Sequence, residues 1–285
     1  MINPYYYLDM IRQLDIKPGS LVVVTADLTR LALAGRRIEA GFNVNNFTDT
    51  IKQVLGKGGT LVIPSFNFNL KNNDHFFPSR TQPITGALAI AALKRHEFIR
   101  TRHPLHSFLA WGQHAEALAS LANRSSFADD SPFAYFREHQ AKMLLIDTTI
   151  TAAFTFVHHV EEMEQVWYRK YRKLIINVDE DSETVGREVW LYAKKLGWTM
   201  DLGGLERLLF EKNAAKKMTI NQITFTLVDL QAAYPVIQHD IRFNRARNLA
   251  RFSLSLYFRE KVKTFLASFG IHTLADKISH DPGLL

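Results

Sequence analysis

The chain contains no cysteine. That excludes disulfides, thiolate metal sites and a cysteine nucleophile, and it fits a reducing compartment. No uninterrupted apolar run reaches the roughly 18 residues that a membrane-spanning helix needs, so no span is expected. The opening MINPYYYLDMIRQLDI has no basic cluster followed by an apolar run. No signal peptide is therefore expected, and the chain reads as a soluble cytoplasmic protein. Phosphate loops are missing too. There is no G-x-x-x-x-G-K-S/T, no G-x-G-x-x-G follows a strand, and GKGG at 56–59 precedes one instead. Nucleotide hydrolysis and a dinucleotide site are accordingly not expected. The G-x-S-x-G elbow of hydrolases is also absent.

What is present suits a folded domain. A chain of 285 residues with 47% hydrophobic content can bury one large core, or one core plus a smaller lobe. Its net charge of +7 is uneven, because residues 241–263 hold seven Lys/Arg against one Glu. That stretch reads first as a solvated helix face. Sharper readings are a docking patch for an anionic partner, or a helix packed on a second subunit through Leu249, Phe252 and Leu256.

Strand and helix signals alternate through the first half. A helix is expected from Tyr5 to Leu14, a buried strand at LVVV (21–24), a helix from Asn46 to Leu55 and a second buried strand at TLVIP (60–64). A long polar loop at 67–86 has the length of a functional or mobile segment. A helix at 87–96, a strand at 108–111 and a third buried strand at 142–147 follow. KLIINV (173–178) reads as a strand leading into a polar region, 179–220, with no clear period. The pattern predicts an α/β fold with a mixed sheet, because crossover helices are missing in places. It predicts one domain over 1–285, with an inserted region near 165–225 and a basic helical stretch at 241–285.

FTFVHHVEEMEQV (154–166) places two histidines and two glutamates in one helical segment. Residues three apart share a helix face, so His158 can touch Glu161 and His159 can touch Glu162. A carboxylate bonded to one imidazole nitrogen fixes the tautomer and raises the basicity of the other, as a general base requires. A surface His–Glu pair is the plainer reading of the spacing. A zinc helix would carry His at i and i+4, and that pattern is missing. Position favours chemistry, since the segment follows a buried strand, where side chains face clefts. TRHPLHSF (101–108) is a second constellation, read by itself as a turn with solvated histidines.

Taken in order, several segments resemble the aminoglycoside 3-N-acetyltransferase, or antibiotic N-acetyltransferase, family. They are KPGSLVVV (17–24), GGTLVIPSF (58–66), TG (85–86), IRTRHPLHSFLAWG (99–112), SPF (131–133), KMLLI (142–146), TFVHHVEE (155–162) and NAAKKMTINQITFTLVDL (213–230). The resemblance implies an α/β fold with a mixed central sheet flanked by helices, and transfer of an acetyl group from acetyl-coenzyme A to an amino group without a metal. It implies His158 as general base with Glu161 orienting it, Thr155 near the acyl group, and the turn holding His103, Ser107 and Phe108 beside the donor and acceptor cleft. His159 and Glu162 match no functional position of the family and read as a bystander pair.

Two departures stand out. The family has His-Ser-Ser-Leu after the first strand, contributing to the coenzyme site, whereas this chain has Thr25-Ala26-Asp27-Leu28. Asp147 stands where a glycine is usual. A pI of about 9.5 favours an acceptor less cationic than an aminoglycoside, such as an amino sugar carrying an acidic group. The expected partners are thus a small amine and, as a homodimer, a second copy of the chain, with no nucleic acid; the alternative is a non-catalytic binding or scaffold protein on the same fold.

Overall fold

A computed structural model describes residues 6–35, 41–180 and 183–268. Its centre is a seven-stranded mixed sheet. Strand β1 (Leu21–Ala26) pairs in parallel with β2 (Thr60–Pro64) and, on its other side, with β6 (Lys142–Ile146). Short β3 (His75–Phe76) lies outside this sheet. The sheet extends antiparallel through β5 (Phe108–Gly112) to β4 (Ile99–Arg100), and through β11 (Ile223–Asp229) to β10 (Ala215–Ile220).

The apolar run of β1 explains its central place. Val22 and Val24 face one hydrophobic cluster while Leu21 and Val23 face another, so alternate residues are buried on both sides. One face is covered by α1 (Tyr6–Arg12), α3 (Val44–Leu55) and α4 (Ala87–Leu93). Between the first two lies α2 (Thr29–Gly35). Asn43 starts α3, its side chain accepting from the N–H groups of Asn45 and Asn46. Where β2 passes β5, Gly112 (φ 105°) leaves no room for a Cβ, which would lie 2.1 Å from the Gly59 carbonyl oxygen.

The other face carries α6 (Pro132–Glu138), α8 (Val157–Met163), α9 (Gly203–Glu211) and α10 (Leu230–Asn244). Helices α5 (Ala115–Ser120) and α7 (Ile150–Ala153) complete the connections.

The region 179–220 is more regular than its sequence suggests. β7 (Arg169–Glu180) and β8 (Glu183–Lys194) form a long antiparallel hairpin, and β3 joins its edge through β7. β7 buries Leu174, Ile176 and Val178 on one face against Phe76, Leu105 and Val189, whereas β8 is exposed toward the tip, so no buried face imposes an alternating pattern there. β9 (Trp198–Met200) then pairs with β12 (Ala250–Phe252).

The basic stretch 241–285 is not one helix. Arg245 and Ala246 adopt left-handed conformations (φ 53° and 51°) that end α10, and α11 (Leu254–Ser268) begins after β12. Residues 269–285, and Tyr5 of the expected first helix, lie outside the described residues. Of the three apolar residues expected on a solvated or subunit-facing helix, Leu249 is fully buried, Leu256 is partly buried and Phe252 is exposed. Among the described residues, no helix is long and apolar enough to cross a membrane.

Candidate active site

His158 and Glu161 meet as the helical spacing predicts. Nδ1 of His158 lies 2.7 Å from Oε2 of Glu161, with the imidazole 20% exposed and the carboxylate fully buried. Two further groups hold that carboxylate. Tyr168 donates to Oε1 at 2.6 Å, and Arg169 at the start of β7 sets its Nε 2.7 Å from Oε2. The Arg169 Nε–H is not aligned for a hydrogen bond, so this contact is an ion pair without one. Burial would raise the Glu161 pKa, but Arg169, His158 and Tyr168 together hold it below its ordinary value. Glu161 is therefore an ionised acceptor, and the short contact requires the proton on Nδ1 of His158. The lone pair is left on Nε2.

Arg169 also places Nη2 2.8 Å from Nδ1 of His158. Nδ1 cannot both donate to Glu161 and accept from Arg169, and the ionised carboxylate decides the matter. Burial, and then the Arg169 guanidinium, push the His158 pKa down against the pull of Glu161.

His159 and Glu162 do not pair with each other. Nδ1 of His159 donates to the Phe127 carbonyl at 2.7 Å, while Glu162 accepts from Ser125 at 2.8 Å and from Tyr171 at 3.3 Å. Both side chains are buried. Each pins the segment 125–127, whose Phe127 ring packs edge-on against His158 at 5.3 Å. The second pair is thus a clamp beneath the first.

A cavity of about 530 Å³ opens at the carboxyl ends of the three parallel strands, the usual location of ligands in such sheets. Thr25 and Ala26 end β1 and Asp27 and Leu28 follow it along the wall, Pro64 ends β2 and Phe66 follows it, and Thr148 follows β6. Phe68, Ala153 and Thr155 also line it. Thr155 ties this wall to α8, since its carbonyl accepts from the His158 N–H at 3.1 Å. The imidazole of His158 is not itself on the wall.

Three other expected residues are absent from this cavity. Ser107 is fully buried, bonded to the Ser65 carbonyl at 2.7 Å and to Nε of Arg100 at 2.9 Å. Phe108 belongs to the core, edge-on to Phe66, Phe133 and Phe136. His103 is buried, accepting from the His106 N–H and donating to the Arg124 carbonyl at 3.2 Å; burial lowers its pKa to about 4. It borders a separate polar cavity with Arg102 and Arg124. The expectation of solvated histidines also fails for His106, which is buried beside Phe66 and Phe127.

Sequence reasoning passed over Arg100. Its five N–H groups reach the Ser107 hydroxyl, the carbonyls of Pro78, Thr81 and Ser65, and the Asn67 side chain. This single guanidinium ties the long loop 67–86, which holds Phe68 against the cavity, to the sheet. Among the described residues, no three His, Asp or Glu side chains are grouped so as to hold a metal ion.

The sequence model of aminoglycoside 3-N-acetyltransferase matches residues 36–241. The chain belongs to this family. Solved structures agree on the fold. AAC-IIIb, solved as a binary complex with CoASH, is 16% identical with a TM-score of 0.72, covering 85% of this chain and 97% of its own. The AAC(3)-IVa apoenzyme is 21% identical with a TM-score of 0.66, covering 84% and 88%. AAC-VIa bound to sisomicin is 15% identical with a TM-score of 0.68, covering 84% and 97%.

Both departures from this acetyltransferase family have local explanations. Asp147 sits at φ 51°, a left-handed position that glycine fills freely and Asp tolerates. Its Oδ1 accepts from the Thr224 N–H at 3.0 Å and contacts Arg30 at 3.4 Å. Asp27 accepts from the Thr29 N–H at 2.9 Å, and the Thr29 side chain first and then this N–H lower its pKa, turning the charge into its own turn. Thr25 presents a buried hydroxyl with no partner on the cavity wall. An apolar channel with an unpartnered hydroxyl fits the slender amide-bearing arm of coenzyme A.

Proposed function

We propose that this protein is an acetyl-coenzyme A-dependent N-acetyltransferase, acting on an amino group of an amino sugar or aminoglycoside-like acceptor. The observation that carries the reading is the 2.7 Å contact between Nδ1 of His158 and the buried Glu161 carboxylate, one helical turn from Thr155 on the cavity wall.

An acceptor ammonium is not a nucleophile until it loses a proton. Nε2 of His158, with its lone pair free, takes that proton. Glu161 fixes the ring and stabilises the imidazolium that forms. Thr25, Ala26, Asp27, Leu28 and Thr155 would hold the coenzyme, which when bound supplies the acyl thioester. The amine attacks directly, consistent with a chain that has no cysteine nucleophile. The relative bound to sisomicin supports an amine acceptor of this class.

Thiol release from acetyl-coenzyme A, measured over a panel of amines that includes aminoglycosides and acidic amino sugars, tests the reading. Turnover with at least one amine is expected. Coenzyme A binding by calorimetry with no turnover on any amine would favour a ligand-binding role, and absence of binding would favour a scaffold. Asp27, in place of a family serine, is the feature that motivates that second reading.

A further inference from the structure

Arg169 and Lys194 stand directly opposite each other in the β7–β8 ladder. Like charges in that arrangement destabilise a sheet. These two are also withdrawn from water. The Arg169 side chain is 5% exposed, and the Lys194 ammonium is buried without a hydrogen-bond partner. Such a pair is costly to keep, and both members face the same dyad.

The charged and titratable groups around His158 come from five places. α8 supplies Glu161. β7 supplies Arg169, together with Tyr168 acting on Glu161. β8 supplies Lys194, which bears on His158 electrostatically. The turn before β5 supplies His106 on the far side of Phe127, held neutral by burial. α11 supplies Glu260, which acts on Lys194. Glu161 alone would stabilise an imidazolium at rest, and a base that is already protonated cannot accept a proton. Something must oppose the carboxylate without displacing it.

We infer that Arg169 and Lys194 are positioning residues for His158, Arg169 fixing the carboxylate that orients the ring and the two cations together opposing a resting positive charge on it. This rests on the reading of His158 as the base. Arg169 spans both tasks, with Nε beside Glu161, Nη2 beside His158, and Nη1 anchored on the Tyr192 carbonyl at 2.8 Å. Lys194 touches neither member of the dyad through a hydrogen bond, so its effect is through space and its removal leaves the geometry in place.

The test is an NMR titration of the His158 imidazole in the full-length protein, for wild type, Lys194→Met and Lys194→Arg, with the pH profile of turnover measured in parallel. In Lys194→Met the His158 midpoint is expected to rise, because one of the two cations opposing its protonation is gone. The acid limb of the rate should rise with it, and Lys194→Arg should restore the low midpoint. An unchanged midpoint in a folded Lys194→Met protein overturns the inference even if the enzyme is active. A shifted midpoint with no turnover on any amine would sustain the electrostatic role while removing the acetyltransferase reading. Arg169→Met, which strands the buried Glu161, is the harsher variant. Should it fail to fold, the Lys194 series still decides.

Discussion

His159 donates through Nδ1 to the Phe127 carbonyl at 2.7 Å, and the Phe127 ring in turn packs edge-on against His158. The histidine next to the proposed base therefore acts on it from behind, through a phenylalanine 32 residues before itself in the chain. His159→Ala should leave the Phe127 carbonyl without its donor and open space in the core. A loss of about 1–3 kcal/mol is expected from the unmet hydrogen bond, read from urea unfolding. Unchanged stability would remove the clamp.

Buried histidines make the fold sensitive to mild acid. Burial holds both His103 and His159 at about 4 in the folded state, against about 6.5 when unfolded. Below pH 6.5 the unfolded chain binds protons that the folded chain refuses, so stability falls as pH falls, until about pH 4. The expected slope is about 1.4 kcal/mol per pH unit for each histidine, measurable as Tm against pH. Glu161, held below its ordinary value, adds a loss at still lower pH. A flat profile between pH 6.5 and 4.5 would contradict the assignment of neutral, buried rings.

His158→Ala should retain the fold and lose turnover by about 10²–10⁴-fold, the usual contribution of a general base. Glu161→Gln removes the charge that faces Arg169, so it should lower both turnover and stability. The stability loss is expected near 3–5 kcal/mol, because the guanidinium is left uncompensated. Full activity in His158→Ala would exclude the imidazole as base.

Ala87 lines the cavity from the first turn of α4 and is exposed there. Ala87→Trp should narrow the channel and weaken coenzyme A binding at least tenfold by calorimetry, with Tm unchanged. Retained affinity would place the coenzyme elsewhere.

Arg100→Met removes one donor from each of five acceptors, in and beside the long loop 67–86, of which the Ser65 carbonyl keeps the Ser107 hydroxyl. Faster proteolysis within 67–86 and weakened coenzyme binding are expected, since Phe68 on that loop lines the cavity. Arg100→Lys should rescue only in part, because an ammonium has three donors where the guanidinium has five. Identical protease sensitivity across all three proteins would refute the tethering role.

Much of the scaffold was readable from local pattern. β1, β2 and β6 are short, nearly unbroken apolar runs, and such runs are stable only when buried on both faces. The His158–Glu161 contact follows from three-residue spacing on a helix. The β7–β8 hairpin was partly hidden, because its β8 arm is exposed toward the tip and requires no alternation there. Ser107, Phe108 and His103 lie close to the cleft in sequence yet turn into the interior.

The chain's own residues determined which strands occupy the middle of the sheet and which imidazole a carboxylate can reach, since both depend on neighbours a few positions apart. Only the tertiary structure decided what surrounds that imidazole. Arg169 and Lys194 arrive on the β7–β8 hairpin and Phe127 on a loop. Their convergence is set by how helices and sheets pack, and packing joins positions that no periodicity links.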